Sequence, residues 1–579
     1  MKRFTLLAIL VALVFAGAPA CTPKPRDVKA PKENVFRIAV QAKIPTLDPH
    51  LSTDVYSSQT EALFYETLYQ YQYLKRPYEL EPLLAETLPE ISKDGKILRI
   101  KLKRGIRFHD DPCFEGGKGR EVVAQDAVYM LERISAPKMN SPMYGSFDGK
   151  IEGIDAYHAG KAKTISGVRA LDANTVEIRL LKSYPRFVYN FTDQKTSILA
   201  KECVEKYGDK IATHPVGTGP YKPVRVELGH KIIAVRNPGY HKMTYPSEGS
   251  RGDKEKGLLA DMGKDVPFID RIQYEVITES QPMWLKFMAG ELEMSGIPKD
   301  NYGTALPGGK LSPELEKRGV VHYREARGDV TVMIFNMQDS VWGKNKDLRH
   351  AFALALNVPK IIEVQYSGQA TRAHSIIDPA QYGFDPNYKS RWAERNVARA
   401  KELLAKAGYP DGKGLPPLVM PTTSDTTSRQ FDELLTRQLA EVGIRLQSEA
   451  MTWPELERRT RSHNFTVLGL GYASAVPDAD DATGLLHSKN IEAGYNAASY
   501  KNPAVDRLVD EIEAMPNGAA RLAKIRQLKE MIDEDLPIVS MVHRIGNQLI
   551  QPWVKNHVYT DTMFLGPFLK YKKVMTSAP

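Results

Sequence analysis

Apolar residues recur along this chain in two alternating rhythms, every second residue over short runs and every third or fourth over longer ones, which predicts strands interleaved with amphipathic helices. Residues 35–40 (Val-Phe-Arg-Ile-Ala-Val) read as the first strand, and 45–49 (Pro-Thr-Leu-Asp-Pro) as a turn. Residues 57–68 read as a helix with Ala62, Leu63, Tyr65 and Leu68 at its apolar positions. The turn at 92–95 opens into a strand, 97–102, with Leu98, Ile100 and Leu102 on one face and Arg99, Lys101 and Lys103 on the other. A helix follows at 124–133. Gly217-Thr218-Gly219-Pro220-Tyr221 predicts a tight turn, since glycine reaches positive φ freely and proline presets its own φ. The strand 231–235 comes next and is closed by Asn237-Pro238-Gly239. Further strands are expected at 272–277, 331–336, 444–450 and 538–543. Helices are expected at 281–290, 346–366, 396–407 (capped by Gly408), 428–442, 505–515 and 519–535. Such alternation argues for α/β lobes rather than a helical bundle.

A chain of 579 residues exceeds one hydrophobic core, and its length suggests roughly three or four domains. The formal net charge is +9, and loss of Lys2 and Arg3 with a leader gives 9 − 2 = +7. The basic residues are dispersed among 70 acidic ones with no aromatic-interleaved stripe, which argues against nucleic-acid binding. Lys2-Arg3, the apolar run 4–15 and the small residues Gly17-Ala18-Pro19-Ala20 make residues 1–20 a secretory signal peptide. An apolar run of about 12 residues is too short to span a bilayer of ~30 Å. Two processing routes fit. Ala18-x-Ala20 suits ordinary cleavage and free secretion, whereas Cys21 suits lipidation, with Ala18 where leucine is usual. The Pro/Lys-rich tether at 21–32 favours lipidation at Cys21, a membrane anchor, and a place in the periplasm or cell envelope. Cys113 and Cys203 then meet an oxidising compartment, where a disulfide between them is one outcome and two free thiols the other. Lacking histidine partners, they make a poor zinc site.

Several short motifs occur in order. They are Thr46-Leu47-Asp48-Pro49, Glu66-Thr67-Leu68-Tyr69-Gln70-Tyr71, Phe108-His109-Asp110 before the helix at 124–133, and Gly217 to Tyr221 followed by Arg236-Asn237-Pro238-Gly239-Tyr240. Gly290-Glu291-Leu292-Glu293 and the run 348–357 (Leu-Arg-His-Ala-Phe-Ala-Leu-Ala-Leu-Asn) continue the series. Over residues 35–571 the chain resembles the family 5 extracellular solute-binding proteins, the oligopeptide- and dipeptide-binding receptors of ABC importers. It departs from them in an insertion at 111–121. The resemblance implies an α/β, two-lobed periplasmic-binding-protein-like clamp with an extra domain inserted in lobe I. Lobe I would comprise 33–75, 196–278 and 537–579, the extra domain 76–195, and lobe II 279–536, with hinge crossings near 278 and 536. It also implies a monomeric, non-enzymatic lipoprotein without cofactors that captures peptides between the lobes. The cargo would pass to a membrane permease driven by a separate ATPase. A receptor for another solute (nickel chelate, opine, oligosaccharide) or an exported signalling receptor remains the alternative.

The residues themselves offer no G-x-S-x-G, H-E-x-x-H or G-x-x-x-x-G-K-[ST] motif, and the 13 histidines are scattered. Asp478, Asp480 and Asp481 lack the glycine and distal glutamate of a calcium loop. In peptide-binding members of the family the residues after "LDP" line the cleft, which implicates Thr53, Asp54, Val55 and Tyr56; an ordinary exposed loop is the competing reading. Residues 469–481 resemble the family's second cleft segment, with Tyr472 where tryptophan is common and Asp478 at the later acid. Ala475 falls where an aspartate receives a peptide's amino terminus. Losing that charge-assisted bond costs ~1.5–3 kcal/mol. Either Asp478 or Asp54 substitutes, or the ligand is not a free-amine peptide. Trp453, Tyr495 and Arg372 are further cleft candidates, the aromatics because rings supply area that tolerates varied ligands.

Overall fold

A computed structural model of the chain describes residues 29–76, 78–474, 476–492, 496–559 and 568–576. The signal peptide, Cys21 and most of the tether, as well as Ala475 and Tyr495, lie outside the described residues.

Among the described residues, three sheets of four or more strands carry the architecture. In the first, Val35–Val40 runs parallel to Arg271–Val276, which pairs antiparallel with Lys231–Arg236, and the hairpin partner Tyr221–Glu227 forms the edge. Alternate residues Phe36, Ile232, Ala234, Ile272 and Tyr274 turn inward onto Leu63, Phe64 and Tyr221. In the second sheet, Ile97–Lys101 lies between Glu90–Ile91 and Thr175–Arg179, with Val168–Ala170 beyond. Leu98, Ile100, Val176 and Ile178 face the helix Ala124–Ile134, while Arg99 and Arg169 on the outer face close on Glu177 at 3.0 and 2.8 Å.

The third sheet centres on Asp329–Phe335, flanked by Val467–Ala473 and by the 13-residue strand Ile538–Ile550. That long strand changes partners along its length. Its first half pairs with Asp329–Phe335 and Ala370–Arg372, and its second half with Val321–Ala326 and Met294–Gly296. The segment from Met283 to Val320 packs with Ala39, Ile277 and Leu549, and Arg37 donates to Glu293 at 2.6 Å. Residues 280–326 therefore sit against the first lobe, and the two long strands pass between sheets at 326–329 and 542–545. This differs from crossings expected near 278 and 536. The cause is that residues 545–550 continue the first lobe's packing on a strand whose start belongs to the second.

Other differences have local causes. The helix expected at 57–68 is Val55–Glu61 only, because the backbone beyond it is claimed by the glycine turn. Tyr221 N–H donates to Leu63 O at 3.0 Å and Gly219 N–H to Phe64 O at 2.8 Å. Gly217 and Gly219 do not adopt positive φ; a Cβ on either would collide with the Phe64 carbonyl, so close approach explains these glycines. The span 346–366 forms two helices, Lys346–Ala355 and Val358–Tyr366, with Asn357 capping the second ahead of Pro359.

The sequence motifs converge on one buried carboxylate, Glu66. It accepts from Thr218 Oγ1 at 2.9 Å and Tyr240 OH at 2.7 Å, and His241 Nε2 lies 3.0 Å from both its oxygens. Burial by itself would raise the Glu66 carboxyl, but His241, Lys570 and Tyr240 hold it at about 2, against an ordinary 4.5. His109 N–H donates to Gly217 O at 2.7 Å, and its ring meets Gly219 O at 2.9 Å. Asp48 receives Arg133 at 2.6 and 2.8 Å. Because the folded Glu66 is more acidic than the unfolded one, its stabilisation is complete above pH 4.5 and disappears as pH falls towards about 2. Glu66→Gln is expected to cost roughly 3 kcal/mol at pH 7 and to flatten the acid limb between those values. Urea midpoints across pH 2–7 check this, and an unchanged acid limb would refute it.

The insertion at 111–121 is a fastener. Cys113 and Cys203 are disulfide-bonded across 90 residues, with Cα atoms 4.9 Å apart. Beside them Asp111 receives His214 Nε2 at 2.7 Å, and Arg120 Nη2 reaches both Asp126 (2.6 Å) and Glu202 (3.0 Å). Replacing both cysteines by serine is expected to lower stability by roughly 2–4 kcal/mol through loop entropy. Denaturant titration of the variant against the oxidised and reduced parent checks this.

Candidate functional site

The two lobes meet at the strand crossings, 326–329 and 542–545, and residues of both gather where the cleft between them is expected. Asp54 N-caps the helix Val55–Glu61, accepting from Tyr56 N and Ser57 N at 3.0 Å and from Ser57 Oγ at 2.6 Å. Burial raises its carboxyl, with those hydrogen bonds opposing. Thr53, Val55 and Tyr56 are half-buried around this helix start. Tyr56 reaches towards the crossings. Burial pushes its phenol up, and Arg327 and Arg544 pull it back.

Those arginines are the cleft's main charges. Asp329, almost fully buried, receives Arg544 at 2.7 and 3.0 Å and Arg327 at 2.8 Å through one carboxylate oxygen. Burial opposes the Asp329 charge, but the two guanidiniums hold its carboxyl below the ordinary range. Their own side chains remain 43% and 33% exposed although residues of both lobes surround them. A Cβ on Gly471 would stand 3.4 Å from Arg544 Nη2, so the glycine leaves the guanidinium its room. Tyr472, one residue on, is half-buried opposite Val330, and its hydroxyl has no partner among the described residues. Asp425 caps Thr426–Ala440, accepting from Thr423 Oγ1 at 2.6 Å and Ser428 Oγ at 2.8 Å. Trp453 begins the helix Trp453–Arg461 and is half-buried on the second lobe's core, its indole N–H without a partner among the described residues.

Asp478 is committed elsewhere. It caps Ala479–Gly484 and receives the fully buried Arg521 at 3.0 Å. Arg521 also bonds Asp480 at 2.6 Å. Arg186 enters this group from the extra domain, donating to Asp480 at 2.6 Å and to the carbonyls of Ile512, Glu513 and Met515 at 3.1, 3.0 and 2.8 Å. Those carbonyls end the helix Pro503–Ala514, where a cation is favoured. Lys150 adds a contact to Glu513 at 3.2 Å. Arg372 lines a separate small cavity inside the second lobe, with His374, Trp392 and Lys529.

Thr53, Val55 and Tyr56 thus flank the start of the helix Val55–Glu61, Asp54 is tied into its cap, Tyr472 lies on the strand Val467–Ala473, and Asp478 is engaged by its own cap and Arg521. Sequence reasoning missed Arg327, Asp329 and Arg544. Asp329 and Arg544 carried a signal as charges at the head of, or within, the largely apolar strands Asp329–Phe335 and Ile538–Ile550, where an unpaired charge is costly, whereas Arg327, between two strands, carried none. No group of three or more metal-ligating side chains occurs among the described residues.

Two α/β lobes joined by crossing strands around a charged cleft define a solute-binding clamp. The family model for bacterial extracellular solute-binding proteins, family 5 (middle), matches residues 79–493, and the chain belongs to this family. Members are non-catalytic periplasmic receptors that deliver a substrate to an ABC permease. The chain is 25% identical to the Salmonella typhimurium periplasmic oligopeptide-binding protein OppA, covering 97% of this chain and 96% of that one. It is also 25% identical to an Escherichia coli glutathione-binding protein, GsiB (87% and 88%), and 24% identical to Haemophilus influenzae heme-binding protein A (84% and 83%). Among solved structures it superposes on Helicobacter pylori DppA in complex with the peptide STSA with a TM-score of 0.78, at 25% identity over 94% of this chain and 98% of that one.

Arg186 ties the segment after the second sheet to Asp480 and the end of the helix Pro503–Ala514, so its removal tests whether it holds the lobes together. Arg186→Ala is expected to widen the small-angle scattering envelope and weaken ligand retention by about tenfold or more, since a less populated closed state lowers apparent affinity. An unchanged envelope and affinity would remove its latch role.

Proposed function

We propose that this chain is the peptide receptor of an ABC importer, held to a membrane by lipid on Cys21, acting as a monomer. Peptides would enter between Tyr56 on the first lobe and Tyr472 on the second, and closure would follow from the ligand's higher affinity for the closed state. The closed form would dock on the permease, whose separate ATPase supplies the work. The observation that carries the reading is the cleft itself. Aromatic walls provide sequence-tolerant area, and the arginine pair provides a fixed place for a carboxylate. The named ligands of three similar proteins support it, an oligopeptide, glutathione and the peptide STSA. The heme-binding relative marks the competing class, a non-peptide solute.

Native mass spectrometry of the protein extracted from membranes, before and after denaturation, tests both parts. Peptide cargo is expected as a ladder of released masses spaced by amino-acid residues, and lipidation as an acyl-sized increment on a chain beginning at Cys21. One released non-peptide mass would sink the peptide reading. If the protein emerges empty, peptides are screened by thermal shift, where ligand at 100 times its Kd adds ~2.7 kcal/mol.

A further inference from the structure

We infer that this cleft recognises its ligand by a carboxylate held at Arg327 and Arg544 and makes no ion pair with a ligand ammonium. The inference rests on the peptide reading and deepens it to one end of the peptide.

The argument is a charge inventory. Two guanidiniums share one carboxylate, Asp329, which leaves one positive charge in excess at the crossings. The excess has a geometric form. Arg544 engages Asp329 through Nε and Nη2, whereas Arg327 touches it through Nε, with 43% of its side chain exposed. Arg544, and burial after it, push the Arg327 proton affinity down, and an incoming anion relieves that repulsion. Arg324 stands nearby and donates to Gln369 at 3.3 Å, its charge offset by the adjacent, exposed Glu325, so the excess at the crossings is that of Arg327 and Arg544 over Asp329.

Among the described residues, the buried acids at the helix starts and in the second lobe are occupied, and Glu325 stands exposed beside Arg324. Asp54 and Asp425 each cap a helix and accept hydroxyl hydrogen bonds. Glu457 pairs with Arg461 at 3.5 Å. Asp478 and Asp480 are bound by Arg521 and Arg186, and Asp481 is itself engaged. Position 475 is alanine and contributes no charge. An ammonium taken to any of these buried acids would have to break a cap or a buried pair, whereas a carboxylate finds Arg327, whose side chain pairs, among the described residues, with Asp329 alone and through Nε, which leaves its planar fork to an anion.

The test uses alanine peptides of three to five residues in free, N-acetylated and C-amidated forms, with glutarate as a non-peptide carboxylate, read by calorimetry and thermal shift. Acetylated peptides are expected to bind within about threefold of the free ones, and amidated peptides about tenfold or more weaker, the equivalent of ~1.4 kcal/mol. Arg327→Gln should remove the difference between free and amidated peptides, and Arg544→Gln serves as the second variant if the first misfolds. Loss on acetylation with tolerance of amidation would overturn the inference. Silence of every peptide with a response to glutarate would reject the peptide reading and keep the carboxylate anchor, and silence of glutarate as well would overturn the anchor.

Discussion

A carboxylate as deeply buried as Glu66 is tolerable only if its charge is answered on every side, because an unpaired ion in a protein interior costs several kcal/mol. The groups that answer it come from distant parts of the chain. Thr218 lies in the glycine turn, Tyr240 and His241 follow the next strand, and Lys570 arrives from near the C-terminus. Satisfying one charge therefore fixes the relative positions of the first sheet, the turn that packs on Phe64, and the final segment. Lys570, pushed down to about 8 mainly by burial, also donates to Gln70 at 3.0 Å, so the network extends to the strand Tyr69–Tyr71 beside the extra domain.

This explains which parts of the fold were legible in the sequence. The recognisable motifs are joints. Asp48 meets Arg133, His109 meets the two glycine carbonyls, and Glu66 meets the Thr218 and Tyr240 hydroxyls. Joints demand particular residue types at particular spacings, and such demands are readable without coordinates. Helix limits were read less well where tertiary contacts overrode periodicity. Residues 62–68 carry helical spacing, but Leu63 and Phe64 give their carbonyls to the glycine turn, Glu66 gives its own to Ile198, and Thr67 and Leu68 give theirs to residues 83–85. The glycines themselves were assigned the wrong cause. Their spacing suggested left-handed backbone, whereas a neighbouring carbonyl leaves no space for a Cβ.

The cleft was legible only in part, for a physical reason. Its lining is set by which strand crosses where, a property of topology rather than of local pattern. Of the residues after "LDP", Asp54 starts a helix, and Tyr56 beside it comes under the influence of Arg327 and Arg544. Asp478 looked like a cleft acid by spacing but lies beside Arg521, which sits 41 residues away on the Asp480 pair and 43 on its own. Nothing in residues 469–481 announces that partner.

Placing the free charge at the crossings has a mechanical consequence. The strand Ile538–Ile550 is held by the second lobe's sheet over its first half and by the first lobe's strands over its second half, and Arg544 sits at the change. Arg327 occupies the equivalent point between Val321–Ala326 and Asp329–Phe335. A ligand group bound there touches both segments that must bend when the lobes move. Binding energy spent on the crossings then differs between open and closed geometries, and only such a difference shifts the equilibrium. On the proposed reading, contacts further out, from Tyr56 and Tyr472, would add area on opposite jaws and so would form fully only on closure. The hinge charge would then orient the ligand, and the aromatic jaws would convert its presence into closure with little demand on its side chains.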